Sequence, residues 1–335
     1  MIAARLHAVG DLRVTTDPDL GGPPPGWSLL AVTSVGICGS DLHWFSEGGI
    51  GENRIEHPVV PGHEFAAIAL SGPHAGRRVA VDPAIPCSAC ELCRVGHHNL
   101  CPTVQFAGHG TLDGAMRECM LWPDQLLHPL PDELSDDAGA LLEPLGVAIH
   151  ASGLAHVRPG SDVLVVGAGP IGILAVQVAR QLGAARVFVV EPLEHRRMAA
   201  LRGGADTAWS PEHGVEELLD ATGGRGADAV IEMAGTDAAI ATAVAASRPG
   251  GRVALGGIPS QDRSAFPAAA ARRKGLTFAM VRRMNDTYRR AIALATTAID
   301  LDALVTERYP LVDAAIAFTA AAERSGLKVM VSASS

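Results

Sequence analysis

Lysine is almost missing from this chain. Only Lys274 and Lys328 occur in 335 residues, so nearly all of the 27 basic side chains are Arg. Together with abundant Ala and Gly, that skew reflects codon composition, not function. No basic excess exists either: the formal net charge is −9 and the sequence pI about 5.8. A nucleic-acid partner, which needs a basic stripe, is therefore not expected. The start, Met1 to His7, lacks the long apolar core of a secretory signal. The longest uncharged run, Val163 to Ala179, holds three glycines, Pro170 and Gln177. That composition suits a strand, a turn and a helix rather than a membrane span. No internal repeat or low-complexity tract is present. The expectation is a cytoplasmic protein whose six cysteines, in a reducing compartment, serve as metal ligands rather than disulfides. What is abundant is apolar: 48% of residues are hydrophobic, enough for two domains at this length.

The chemistry centres on Gly36-Ile37-Cys38-Gly39-Ser40-Asp41-Leu42-His43, followed by Pro61-Gly62-His63-Glu64-Phe65 and, much later, Leu142-Glu143-Pro144-Leu145. These supply one thiolate, one imidazole and two carboxylates. A catalytic zinc takes three protein ligands of these types and keeps one position open. Cys38, His63 and a Glu are read as that set; the competing reading of Cys38 alone is a small buried hydrophobe. In the same loop, Ser40 and His43 in series could carry a hydroxyl proton to water. Asp41 could accept a hydrogen bond from a ligand imidazole. Trp44, Phe45 and Phe106 could wall a substrate pocket, or pack in the core.

Cys87, Cys90, Cys93 and Cys101 form C-x2-C-x2-C-x7-C. Four thiolates so close suit a closed, tetrahedral structural zinc; an iron–sulfur cluster is the alternative. A cross-link of this kind stabilises a lobe poor in hydrophobic residues.

Residues 160–280 change character. The run Asp162 to Val166 reads as a buried parallel strand. It enters Gly167-Ala168-Gly169-Pro170-Ile171-Gly172, then an apolar helix, then a second strand ending in Glu191, 24 residues after the first glycine. Strand, G-x-G-x-x-G, helix, strand and acid together make the dinucleotide fingerprint. The glycines let the backbone approach a pyrophosphate at the helix N-terminus. Glu191 can accept from ribose hydroxyls and would repel a 2′-phosphate, so NAD is expected over NADP; Arg196 and Arg197 nearby soften that choice. Further strands read at Ala229 to Met233 and Arg252 to Gly256, and helices at Val215 to Ala221 and Thr236 to Ala246. This alternation predicts an α/β fold with a parallel sheet. Gly257 and Ile258 follow a strand and so fall at its ligand-binding carboxyl end. A helix-like stretch from Asp137 to Ala155, interrupted at Pro144, joins this region to the first. Helices at Asn285 to Thr297 and Asp313 to Ala322 and a closing strand at Leu327 to Ser332 complete the chain.

In order and spacing these motifs resemble the zinc-dependent medium-chain dehydrogenase/reductases, most closely their polyol branch, which includes sorbitol, xylitol and L-idonate 5-dehydrogenases. The resemblance runs over essentially the full length. It implies a GroES-like β catalytic domain formed by residues 1–144 and 281–335, with the cysteine lobe at 87–101. A Rossmann doubly wound sheet at 145–280 is inserted between its parts. It implies that Cys38, His63 and Glu143 hold the catalytic zinc, with Glu64 joining or exchanging, and that Ser40 and His43 relay the proton. It implies an Arg282 that contacts polyol hydroxyls, and a homodimer or homotetramer. One position departs from the branch: Arg283 stands where an aromatic is common. Two adjacent arginines would suit a sugar acid such as L-idonate; the other reading leaves Arg283 facing solvent.

The reaction so implied is reversible oxidation of a secondary alcohol to a ketone, in a cleft between domains that excludes water. A zinc-free reductase on the same scaffold would lack the metal ligands, and they are present. A binding protein using only the cysteine lobe would have no use for the second ligand set.

Overall fold

Side chains of the segment Trp27–Gly36 alternate between buried and half-buried before becoming fully buried at its end. That is the pattern of a strand with one face on the core that runs into the interior. It organises a seven-stranded sheet. Glu64–Ala69 lies on one side of it and Lys328–Ser332 on the other, both antiparallel, while Cys119–Pro123 pairs along its first half. Arg78–Val81 and Leu127–Pro129 extend one edge and Val305–Pro310 the other. The core beneath includes Leu30, Val35, Phe65, Trp122 and Phe318, each 1% exposed or less. This is the GroES-like β fold.

The computed structural model describes residues 1–333 and divides into two compact units. One is Met1–Glu143 with the chain from Tyr288 onward; the other is Pro144–Thr287. The second crossing thus falls at Thr287/Tyr288 rather than at 280/281. The first falls inside a helix, Asp136–Leu154, that carries Pro144 without the interruption read from the sequence. A helix tolerates such a proline when packing outweighs the lost N–H bond, and Leu141, Leu142 and Leu145 around it are fully buried.

The second unit is a six-stranded parallel sheet. From one edge the strands are Thr207–Trp209, Arg186–Val190, Asp162–Val166, Ala227–Glu232, Ser247–Leu255 and Thr277–Met280. Numbered within the unit this is order 3-2-1-4-5-6, the doubly wound dinucleotide-binding arrangement. Every residue of Asp162–Val166 is buried, as expected of an inner parallel strand covered on both faces. Its carboxyl end feeds the glycine loop and the helix Pro170–Gln181.

At the opposite, amino end of these strands lies an ionic cluster. Asp162 takes two bonds from Arg186, at 2.8 and 2.6 Å. Asp228 accepts from Arg225 at 2.5 Å, Arg248 at 2.6 Å and the Asp162 amide at 3.0 Å. Burial pushes the Asp228 carboxyl up, but these bonds outweigh it and hold the group at about 2. Its stabilising effect is therefore complete above the ordinary carboxylate range and is lost as pH falls through about 2. Asp228→Asn is expected to lose about 1 kcal/mol at neutral pH, limited because the arginines reach solvent. Denaturant titrations of variant and wild type should converge toward pH 2; an unchanged gap there would contradict the assignment.

One local expectation is corrected. The segment after Cys38 is not a loop but a helix, Gly39–Glu47. Gly-Ser-Asp reads as turn chemistry, yet here Cys38 is the N-cap and the Asp41 carboxylate accepts the Cys38 amide at 2.9 Å. A carboxylate in the first turn also suits the positive end of the helix. Ser40, Asp41 and Trp44 form the buried face of that helix.

Candidate active site

Strand register brings the metal-type side chains together. Gly36 pairs with Glu64 on one neighbour and with Met330 on the other. Cys38 follows at the end of the first strand, and His63 precedes Glu64 at the start of the second. One ligand atom each from Cys38, His63 and Glu64 lie within 4.8 Å of one another. His63 and Glu64 are 3% and 1% exposed. Glu143, 4% exposed, stands close enough for its charge to be felt with those of His63 and Glu64.

A residue not singled out from the sequence completes the group. Lys328 is 2% exposed; its Nζ pairs with Glu64 Oε2 and donates to the Ile37 carbonyl at 2.9 Å. Burial lowers the Lys328 ammonium, but Glu64 and Cys38 raise it above its usual range. The pair is possible because Gly36 between the strands has no side chain: a methyl there would run into Glu64 Oε2 and lie 2.8 Å from Lys328 Cε.

Burial alone would depress the His63 imidazole, yet Asp41 and Cys38 hold it well above its usual value. Burial pushes Glu143 up to about 8, and neighbouring Glu64 adds to the push. Cys38, Asp41, Glu64 and Glu143 thus gather about one imidazole, with Lys328 paired to Glu64. A thiol, an imidazole and a carboxylate with ligand atoms within 4.8 Å of one another are the donor types zinc takes, so the set fits zinc.

Around this group, Ser40 Oγ lies 3.4 Å from His63 Nε2. His43 is one helical turn on, with Nδ1 paired to Glu47 Oε1 at 3.0 Å. No direct hydrogen bond joins Ser40 to His43 among the described residues, so a relay between them needs a bridging hydroxyl or water. Trp44 and Phe106 are 3% and 6% exposed. Phe106 packs 5.1 Å from the His63 ring and Trp44 5.7 Å from that of His109. Arg282 is exposed and Arg283 half-buried with a left-handed backbone, φ 55°.

The four cysteines of the lobe have sulfurs within 4.8 Å of one another, with Cys87 and Cys93 4.0 Å apart. A tetrahedral zinc with Zn–S near 2.3 Å requires sulfurs about 3.8 Å apart. Amides of Ala89 and Cys90 lower the Cys87 thiol to about 6, whereas burial raises that of Cys93 to about 12. A bound divalent ion would hold all four as thiolates.

In the second unit, Gly167 adopts φ 91°, and a side chain at Gly172 would strike the Gly167 carbonyl. This close turn delivers Gly169 and Pro170 to the start of the helix, with Ile171 in its first turn. The Arg196 guanidinium stands near the loop, 3.9 Å from where a Cβ at Gly169 would lie. A cation and a helix N-terminus beside a glycine turn suit a pyrophosphate. Glu191, 2% exposed, accepts from the Ala168 amide at 2.7 Å and the Leu193 amide at 3.0 Å. Each oxygen keeps a lone pair for a ribose hydroxyl. Arg197 bonds the Glu191 and Pro192 carbonyls, an anchoring role rather than an anion-binding one. Sequence reasoning also missed Glu232. Its carboxylate accepts from the amides of Ala234 and Gly235 at 2.7 Å each, and its carbonyl from those of Gly256 and Gly257. It thereby ties together the loops that carry Gly257 and Ile258.

A GroES-like sheet bearing a thiolate–imidazole–carboxylate group and a doubly wound sheet bearing the dinucleotide fingerprint define a zinc-dependent alcohol dehydrogenase. The chain belongs to the zinc-dependent medium-chain dehydrogenase/reductases, in their polyol branch. The family model described as alcohol dehydrogenase GroES-like domain matches residues 24–132, and that of zinc-binding dehydrogenase matches 170–297. The chain is 35% identical over 322 residues to a sorbitol dehydrogenase of Bacillus subtilis, covering 93% of this chain and 90% of that one. Among solved structures, it is similar to L-idonate 5-dehydrogenase of Escherichia coli at TM-score 0.90, 26% identity and 99% and 97% coverage. It is also similar to a zinc-binding dehydrogenase of Sinorhizobium meliloti bound to NADP, at TM-score 0.88, 29% identity and 99% and 98% coverage.

Proposed function

We propose that this enzyme oxidises a secondary alcohol of a polyol or sugar acid to a ketone, using zinc and a nicotinamide dinucleotide. The observation that carries the reading is the convergence of half-buried Cys38 with buried His63 and Glu64 within 4.8 Å, beside Glu143. These four residues would hold the catalytic zinc, and the four cysteines of the lobe a structural one. When bound, zinc would make the substrate hydroxyl more acidic, and a nicotinamide would take hydride from the carbon that bears that hydroxyl. Ser40 Oγ takes the hydroxyl proton as it gives up its own toward the Nε2 of His43, whose Nδ1–H is held by Glu47 at 3.0 Å. Asp41 keeps the His63 ring in place. Trp44 and Phe106 shield the reacting carbon from water. Arg282 and Arg283 bind substrate hydroxyls and, in an aldonate, the carboxylate.

Sorbitol dehydrogenase and L-idonate 5-dehydrogenase among the similar proteins support this substrate class. A dehydrogenation screen over polyols, aldonates and simple alcohols with both dinucleotides tests it. Turnover of L-idonate or a sorbitol-like polyol is expected. Oxidation confined to simple alcohols would contradict it.

NAD is the preferred dinucleotide in this reading, because Glu191 presents a carboxylate where a 2′-phosphate would sit. Glu191→Ser is expected to cut the NAD-over-NADP ratio of kcat/KM about tenfold to hundredfold, the scale of a charged hydrogen bond. An unchanged ratio would remove Glu191 from cofactor choice.

The reading also makes the enzyme a homodimer or homotetramer. The edge strand Thr277–Met280 offers a pairing edge, and Met280 on it is 74% exposed. Light scattering on the purified protein decides this.

A further inference from the structure

We propose that His109 is a positioning residue for the catalytic metal, holding the His63 imidazole in its ligating orientation by way of Asp41. The inference rests on the reading of Cys38 and His63 as zinc ligands and goes beyond it, since His109 belongs to neither the ligand set nor the relay. One atom each of Asp41, His63 and His109 lie within 4.8 Å of one another. Asp41 is fully buried. Its Oδ1 lies 3.4 Å from His63 Nδ1 and accepts the Gly62 amide at 3.3 Å, while Oδ2 accepts the Cys38 amide at 2.9 Å. One carboxylate thus braces both ligand-bearing segments, and His109 stands against that same carboxylate. The rings of His109 and His63 are 5.1 Å apart, edge to face.

The backbone explains why His109 can act as a fixed brace. Its loop is bonded to the segment that carries His63: Gly114 donates to the Val60 carbonyl at 2.6 Å, Ala115 to Gly62 at 2.9 Å and Met116 to Pro61 at 3.0 Å. Asp113 accepts the Val60 amide at 2.9 Å and is itself bonded by Arg5. Gly108 turns at φ 76°, and a Cβ there would lie 2.8 Å from the Gly62 amide nitrogen. The loop and the metal segment therefore move as one piece, with Trp44 and Phe106 packing beside the His109 ring. Partners of ligand histidines are worth tenfold to hundredfold in metal affinity in other zinc enzymes. A role in aromatic packing alone would need the ring but not its nitrogens.

The test uses the zinc-loaded full chain. His109→Phe keeps the ring and removes both nitrogens; His109→Gln keeps a hydrogen-bonding group. Zinc release to excess chelator is followed with a metallochromic dye, and the cobalt-substituted proteins are compared by visible absorption. His109→Phe is expected to lose one zinc about tenfold to hundredfold faster than wild type. The lobe zinc should leave at the wild-type rate, the cobalt bands should shift, and His109→Gln should fall between. Wild-type release and spectra in His109→Phe overturn the proposal. So does a third zinc in wild type that the variant lacks, which would make His109 a ligand itself. If His109→Phe does not fold, His109→Gln decides: faster release supports the proposal and wild-type release overturns it. Equal zinc content in wild type and Cys38→Ser would instead overturn the ligand reading, and the proposal with it.

Discussion

Cys38→Ser is expected to abolish dehydrogenation, by about a thousandfold or more, while dinucleotide binding survives. A Lewis acid supplies several kcal/mol of charge stabilisation, and each 1.36 kcal/mol is tenfold in rate. The hydroxyl of Ser is a far weaker ligand than a thiolate, so one zinc of about two per chain should be lost with the activity. Dinucleotide binding should persist, because the fingerprint loop lies in the other compact unit, Pro144–Thr287. Metal analysis, fluorescence titration with NADH and steady-state rates on the same preparation separate these effects. Full turnover in the variant would remove Cys38 from the chemistry. Loss of NADH binding along with turnover would show general misfolding instead.

Lys328→Met should be among the most destabilising single changes in the chain. Its ammonium is buried against Glu64 and the Ile37 carbonyl. Removing one member of a buried ion pair leaves the other charge uncompensated, at about 3–5 kcal/mol. For domains of this size that corresponds to a fall in Tm of roughly 6–20 °C. The fall should be largest with chelator present and smaller with zinc, because the metal then offers Glu64 a cation in place of the lysine. Thermal melts of both proteins with zinc and with chelator check the prediction. A loss that is the same in both conditions would mean that Lys328 and the metal do not share Glu64.

Lys328 also shows what the sequence conceals. The dinucleotide fingerprint and the cysteine lobe are legible because their parts are neighbours in the chain. A buried parallel strand, a glycine turn and an acid at fixed spacing state their geometry locally. The Lys328–Glu64 pair depends instead on the register of two strands flanking Gly36, set by residues far apart in sequence. Nothing in Leu327-Lys328-Val329 announces it, beyond a lysine in an apolar strand of a chain with only two lysines. His109 escaped for the same reason, since its partner Asp41 lies far back in the chain. The helix Gly39–Glu47 was hidden differently. Gly, Ser and Asp at its start are turn formers in isolation, and only the Asp41 bond back to the Cys38 amide makes them a helix cap. Glu191 was legible as an acid at the end of its strand, but not its bonds to Ala168 and Leu193.

The central claim is that one metal ion is held by Cys38 and His63 with carboxylate support, apart from the ion of the cysteine lobe. Anomalous diffraction at the zinc edge from crystals of the purified enzyme tests it most directly. The account predicts two peaks per chain, one centred among Cys87, Cys90, Cys93 and Cys101 and one in bonding range of Cys38 Sγ and a His63 ring nitrogen. A single peak in the cysteine lobe, with none at Cys38, would contradict it.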